Sequence, residues 1–128
     1  MGSKKALVID DSSVSRMILT QILEQINYDV SSYNDPTEVI EQWNEFRDQN
    51  LKHAFDLILT DNQMPGMTGL EFLCWMRQKD CPLPDHRKAI ISGSWSDKEM
   101  QAAQSLGCQI FHKPAPVETI HSWALTGE

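Results

Sequence analysis

The chain has 128 residues, 41% of them apolar, and a formal net charge of −7. That length predicts a single domain over residues 1–128 with a core of its own. The acidic balance, with Lys and Arg scattered along the chain, argues against a nucleic-acid surface, which depends on concentrated positive charge. Cys74, Cys81 and Cys108 are odd in number and form no C-x-x-C, so they read as free thiols in a reducing cytosol. His53, His86, His112 and His121 show no metal-ligand spacing. No signal peptide is expected, because Lys4 and Lys5 lead into only four apolar residues before an acid pair, and no apolar run is long enough to cross a bilayer.

Five short apolar runs are predicted as strands: Ala6 to Ile9, Val30 to Tyr33, Leu57 to Leu59, Ala89 to Ile91, and Ile110-Phe111. Runs this short and this continuously apolar suit strands buried on both faces of a parallel sheet. The second is the most polar, since it contains Ser31 and Ser32. After the first run, Val14, Met17, Ile18, Ile22, Leu23 and Ile26 recur at helical spacing. After the second, Asp35-Pro36-Thr37-Glu38 reads as a helix start, with an N-cap Asp, Pro at the first position and Glu at the third. That helix continues through Val39, Ile40, Trp43 and Phe46. Leu70, Leu73, Cys74 and Met76 form the apolar stripe of a third helix, and Asp80 to Arg87 is a polar connection. Ser96-Asp97-Lys98-Glu99 has the form of a capping box, with Gly107 suited to end that fourth helix. Val117, Ile120, Trp123 and Ala124 make a short fifth helix after Pro116. Strand and helix thus alternate five times, which predicts an α/β doubly wound fold: a five-stranded parallel sheet with five helices on its two faces.

Ligands of such sheets collect at the carboxyl ends of the strands. The residues that follow the predicted strands are Asp10-Asp11, Asn34, Asp61, Ser92-Gly93 and Lys113-Pro114. Taken singly, each acid reads as a cap or a solvated loop residue, Ser92 as a turn residue and Lys113 as a solvated lysine. Taken together, Asp10, Asp11 and Asp61 converge, and three converging carboxylates repel one another unless a cation intervenes. Oxygen donors without His or Cys favour Mg²⁺ over zinc. Lys113 supplies a second compensating charge able to pair with a carboxylate or a phosphoryl oxygen. Ser92 offers a hydroxyl to the same group, with Gly93 leaving room for it.

The string Asp61-Asn62-Gln63-Met64-Pro65-Gly66-Met67-Thr68-Gly69 is more specific. With the acid pair Asp10-Asp11, Ser92-Gly93 and Lys113-Pro114, all in order, it resembles the response-regulator receiver family of two-component signalling over about Lys5 to Leu125. The resemblance implies a flavodoxin-like fold with strand order 2-1-3-4-5. It implies that Asp61 is the phosphoacceptor and that Asp11 and Asp61 bind Mg²⁺ directly. Asp10 would hold the metal through water, and the backbone carbonyl of Gln63 would be a further ligand. Ser92 and Lys113 would contact the phosphoryl oxygens. The implied protein is a cytoplasmic signalling domain, not an enzyme, served by a sensor histidine kinase or a histidine phosphotransfer protein. A dimer through the face of the fourth helix, fifth strand and fifth helix is the quaternary option it carries. One position departs from the common pattern: Ile110 stands where many receivers have Tyr or Phe, and strand alternation points Phe111 to the other face.

Three alternatives stand beside this reading. A haloacid-dehalogenase-type phosphatase would need D-x-D after the first strand, where this chain has Asp10-Asp11-Ser12, and room for a cap domain. A flavodoxin-like cofactor binder could use Ser12, Ser13 and Ser15 to cradle a phosphate, although Asp10 and Asp11 would repel it. A degenerate receiver would serve only as a protein-interaction module.

Overall fold

The computed structural model describes residues 4–48 and 54–126. The strands are β1 (Lys4–Ile9), β2 (Tyr28–Tyr33), β3 (Leu57–Asp61), β4 (Lys88–Ser92) and β5 (Gln109–His112). The helices are α1 (Ser13–Glu24), α2 (Pro36–Glu41), α3 (Trp43–Asp48), α4 (Gly69–Gln78), α5 (Asp97–Leu106) and α6 (Val117–Thr126). The strands form one parallel sheet in the order β2-β1-β3-β4-β5, the doubly wound order expected. His53 lies outside the described residues.

Each strand sends alternate side chains to opposite faces, which divides the core in two. Leu7, Ile9, Ile58 and Ile90 face Val39, Trp43, Phe72, Leu73, Met76 and Ala103, under α2 to α5. Ala6, Val8, Leu57, Leu59, Ile91 and Phe111 face Leu19, Ile22, Leu23, Ile120 and Ala124, under α1 and α6. Burying each Leu or Ile side chain contributes roughly 1.5–3 kcal/mol, so the two layers supply the main stabilising term. β2 is an edge strand, and this accounts for its two serines: Ser31 and Ser32 are exposed.

Three sequence expectations shift. The predicted second helix is two helices, α2 and α3, divided at Gln42, whose φ of −94° and ψ of 6° close the turn. The break brings Trp43 edge-on to Trp75 of α4, centroids 4.9 Å apart, and Phe46 edge-on to Phe55 at 5.3 Å. In α4 the buried residues are Gly69, Phe72, Leu73 and Met76, and Cys74 is exposed. The stripe is rotated from the one expected because the largest fully buried side chain of the helix, Phe72, sets the phase. In α1 only Leu19, Ile22 and Leu23 are buried, while Val14, Met17 and Ile18 are 61%, 54% and 44% exposed. The caps at Asp35, Ser96 and Gly107 form as expected: Asp35 accepts from the Thr37 N–H, Ser96 and Glu99 make a capping box, and Gly107 adopts φ 76°.

Candidate functional site

The register of the sheet places the ends of β1, β3, β4 and β5 level with one another: Ile9 pairs with Thr60, Asp61 with Ile91, and Ser92 with His112. The ladder runs one step further in three places. Asp10 N–H donates to the Tyr33 carbonyl at 3.1 Å, Asn62 N–H to Ile91 at 3.0 Å, and Lys113 N–H to Ser92 at 2.9 Å. Asp10, Asp61, Ser92 and Lys113 therefore share one edge of the molecule.

A backbone device fixes Asp61. α4 begins directly against the end of β3, where a Cβ on Gly69 would overlap the Asp61 carbonyl oxygen. Only glycine lets the helix approach so closely. Met64 is buried in the core and anchors the intervening loop, and Gly66 takes φ 83° in the exposed turn. Thr68 starts α4 with a capping box to Glu71, a T-x-x-E signal present in the sequence and overlooked there.

Asp10, Asp11 and Asp61 each present a carboxylate oxygen such that the three lie within 4.8 Å of one another. Asp10 has no exposed surface, Asp61 is 4% exposed, and Asp11 faces solvent. Lys113 Nζ lies 3.3 Å from Asp10 Oδ2 and 3.5 Å from Asp61 Oδ1. Burial pushes the Asp61 carboxyl above its ordinary value, and the Asp10 charge pushes it further; Lys113 and the Gln63 N–H pull it down without cancelling the rise. Three carboxylates against one ammonium leave an excess of negative charge in a site closed to water on two of its three acids. A divalent cation bound through oxygen fits that imbalance, and the donor set suits a hard ion.

The structure brings together five of the six predicted site residues through their side chains or strand positions: Asp10, Asp11, Asp61, Ser92 and Lys113. Gln63 lies on the rim, where its Nε2 donates to Ser94 Oγ at 2.7 Å and joins the loop after β3 to the loop after β4. The Ser92 hydroxyl is fully buried and closes a turn with Ser94, donating to the Ser94 carbonyl at 3.0 Å and accepting from its N–H at 3.2 Å. Ile110 is half-buried against the core under α5, and Phe111 is buried on the opposite face, as strand alternation requires.

Several contributors were not anticipated. Ser12 is spent as the N-cap of α1, accepting from Ser15 N–H at 3.3 Å, and Ser15 Oγ donates to Asp10 Oδ2 at 2.6 Å. Two of the three serines of the cofactor-binding alternative, Ser12 and Ser15, therefore serve the helix and Asp10. Arg16 donates to the Asp10 carbonyl at 2.8 Å. Asn62 is fully buried and bonds both Leu70 N–H and Glu99. Trp95 Nε1 donates to the Phe111 carbonyl at 3.1 Å, holding the loop after β4 to β5. None of these pairs is adjacent enough in sequence to announce itself, apart from Ser15, which stands on the first turn after the acid pair.

Comparison with known proteins identifies the family and the fold. The sequence matches the response regulator receiver domain family over residues 6–124. The chain belongs to that family, whose members are signalling domains of two-component and phosphorelay proteins. Over 110 residues it is 31% identical to a protein-glutamate methylesterase/protein-glutamine glutaminase 1 of Anaeromyxobacter dehalogenans, covering 86% of this chain and 29% of that protein. Over 103 residues it is 29% identical to the virulence sensor protein BvgS of Bordetella pertussis, covering 80% of this chain and 8% of that one. The chain thus spans less than a third of the length of each of these two relatives. The structure superimposes on the chemotaxis response regulator CheY4 of Vibrio cholerae with a TM-score of 0.77 and 25% identity, covering 98% of this chain and 99% of that one. Among the described residues, no helix is long and apolar enough to cross a membrane.

Proposed function

We propose that residues 1–128 form one receiver domain, a cytoplasmic switch and not an enzyme, that accepts a phosphoryl group on Asp61 from a phosphohistidine donor in a Mg²⁺-dependent reaction. The observation that carries this reading is the meeting of Asp10, Asp11 and Asp61 within 4.8 Å, with Lys113 bridging Asp10 and Asp61. The donor would be a sensor histidine kinase or a histidine phosphotransfer protein. The set of acids, hydroxyl and lysine is complete, which favours an active switch over a degenerate interaction module, and the phosphatase alternative gains no support from the family match.

Phosphoryl transfer asks for an in-line nucleophile and neutralisation of charge on the transferred oxygens. An Asp61 carboxylate oxygen forms the new O–P bond as the N–P bond of phosphohistidine breaks, and the leaving imidazole nitrogen takes that electron pair. Bound at Asp11 and Asp61, with Asp10 acting through water and the Gln63 carbonyl as a further ligand, Mg²⁺ would neutralise phosphoryl oxygens. Lys113 turns from the carboxylates to a second phosphoryl oxygen, and Ser92 turns its hydroxyl from Ser94 to a third. Gly93 gives this group room. The output would leave through the face of α5, β5 and α6, which also offers a surface for a dimer.

Incubation of wild type and Asp61→Ala with a small acyl or amido phosphate, followed by intact-mass measurement, tests the assignment. One phosphoryl adduct on wild type, dependent on Mg²⁺ and lost in Asp61→Ala, is expected; equal labelling of both proteins would refute it. Millimolar Mg²⁺ should also raise the melting temperature, because binding adds about 2.7 kcal/mol of stability at a hundredfold excess over the dissociation constant. Asp11→Ala should blunt that rise, and an unshifted wild type would exclude the metal site.

A further inference from the structure

Lys113 is shared between two buried carboxylates, and the proposed reaction calls it away from both. Asp10 then has the most to lose. It has no exposed surface, so bulk water cannot replace the ammonium that leaves, and the one water it would share with the metal offsets only part of its charge. A buried carboxylate stripped of its partners is costly, and that cost would oppose the movement of Lys113. The same Asp10 oxygen that accepts from Lys113 at 3.3 Å also accepts from Ser15 Oγ at 2.6 Å, while the other oxygen accepts from the Ser12 N–H at 2.9 Å. Ser15 is held in turn by its own N–H, which donates to the Ser12 hydroxyl at 3.3 Å in the first turn of α1.

We infer that Ser15 is a positioning residue of the phosphoacceptor site: its hydroxyl secures Asp10 Oδ2 so that Lys113 can leave Asp10 for the phosphoryl group on Asp61. The inference rests on the phosphoacceptor reading above. In the resting site Lys113 holds Asp10 whether or not Ser15 does, so the Ser15 hydroxyl has little effect on metal uptake. Its contribution appears only in the phosphorylated state, when Lys113 has turned away. A chain without it keeps Lys113 on Asp10 and disfavours the phosphoryl-bound arrangement.

The test uses beryllofluoride as a phosphoryl mimic on the whole chain, with Mg²⁺ and mimic affinities measured separately by calorimetric titration. Ser15→Ala should bind Mg²⁺ within about threefold of wild type but the mimic roughly tenfold more weakly, the scale of one lost hydrogen bond to a charged group. Ser15→Thr and Ser15→Val have nearly the same shape and differ in the hydroxyl. The first should restore mimic affinity and the second should not, which keeps the test decisive if alanine disturbs the fold. Mimic affinity at the wild-type level in Ser15→Ala and Ser15→Val would overturn the inference. So would loss of Mg²⁺ and mimic affinity by the same factor, since Ser15 would then merely shape the metal site. Wild type that binds neither Mg²⁺ nor the mimic would overturn the phosphoacceptor reading itself.

Discussion

Asn62 and Glu99 are joined across two loops: the Asn62 Nδ2 donates to Glu99 Oε2 at 2.7 Å, so the residue after Asp61 is bonded directly to the first turn of α5. The other Glu99 oxygen accepts the Ser96 N–H at 3.0 Å and completes the capping box of that helix. One carboxylate therefore serves the end of β3 and the start of α5 together, and the same hydrogen bonds hold its carboxyl below the ordinary value.

Removing Glu99 should destabilise the fold on two counts. Glu99→Ala gives up half of a capping box, about 1 kcal/mol, and leaves the amide of fully buried Asn62 without its acceptor, about 1–3 kcal/mol more. A fall of roughly 10 °C in melting temperature is expected for a domain of this size, with Glu99→Gln losing less because it keeps an acceptor oxygen. Calorimetric melting decides this, and a loss under 2 °C in Glu99→Ala would show that water satisfies Asn62.

Asp61 carries a pH dependence whose sign follows from its raised folded value. The unfolded chain ionises near the ordinary carboxylate value of 3.8, while the folded site resists ionisation until higher pH. The site's stabilising contribution is thus present below that ordinary value and is lost as pH rises through the folded one. At neutral pH and without metal, Asp61→Asn should be more stable than wild type, because it removes a buried charge that the site resists. That advantage should vanish as the pH falls below the carboxylate range, and Mg²⁺ should stabilise wild type more than the variant. Denaturant melts of both proteins at several pH values check it, and a wild type that is the more stable at pH 7 without metal would contradict it.

Signal transfer should depend on Ser92 more than on Ile110. Ser92 is bonded to Ser94, which Gln63 also holds, and the same loop continues through Trp95 to the start of α5. Ile110 has no polar atom in its side chain and can only fill or vacate space in the core beneath α5. A phosphoryl group biases two states only through contacts that differ between them. Ser92→Ala should therefore reduce the amide NMR shifts that beryllofluoride induces across Asp97–Leu106 by more than Ile110→Val does. The opposite ranking would place the coupling at residue 110.

Arg87 should prove a stability residue remote from the site. The residue is 5% exposed, and its guanidinium donates to the carbonyls of Trp123 and Ala124 at the end of α6, at 3.0 and 3.2 Å, and to the Tyr28 hydroxyl at 2.9 Å. It also packs over the Trp123 ring, 5.7 Å from the centroid. Arg87→Met keeps the bulk but strips these acceptors of their donor, at a cost of about 2–4 kcal/mol. Urea denaturation should show that loss, with beryllofluoride affinity of the folded protein unchanged. A loss under 0.5 kcal/mol would mean that Tyr28, which donates to the Ala124 carbonyl at 2.8 Å, suffices alone.

The strands, their order of appearance, the caps at Asp35, Ser96 and Gly107, and the residues that end each strand were legible in the sequence, because each depends on local chemistry: apolar runs, side-chain oxygens two or three residues from an N–H, a glycine where φ must be positive. The acid pair, Asp61, Ser92 and Lys113 were readable for the same reason, since a parallel sheet brings strand ends together whatever lies between. Tertiary packing alone decided the rest. It split the second helix at Gln42 to seat Trp43 on Trp75, turned α4 so that Phe72 and not Cys74 faces the core, and left Val14, Met17 and Ile18 of α1 uncovered. It also chose the partners of polar side chains across long separations, Asn62 with Glu99, Arg87 with the end of α6, and Ser15 with Asp10. Hydrophobic periodicity reports which residues leave water, but the direction of a helix about its axis and the acceptor a buried donor reaches depend on what the rest of the chain brings against it.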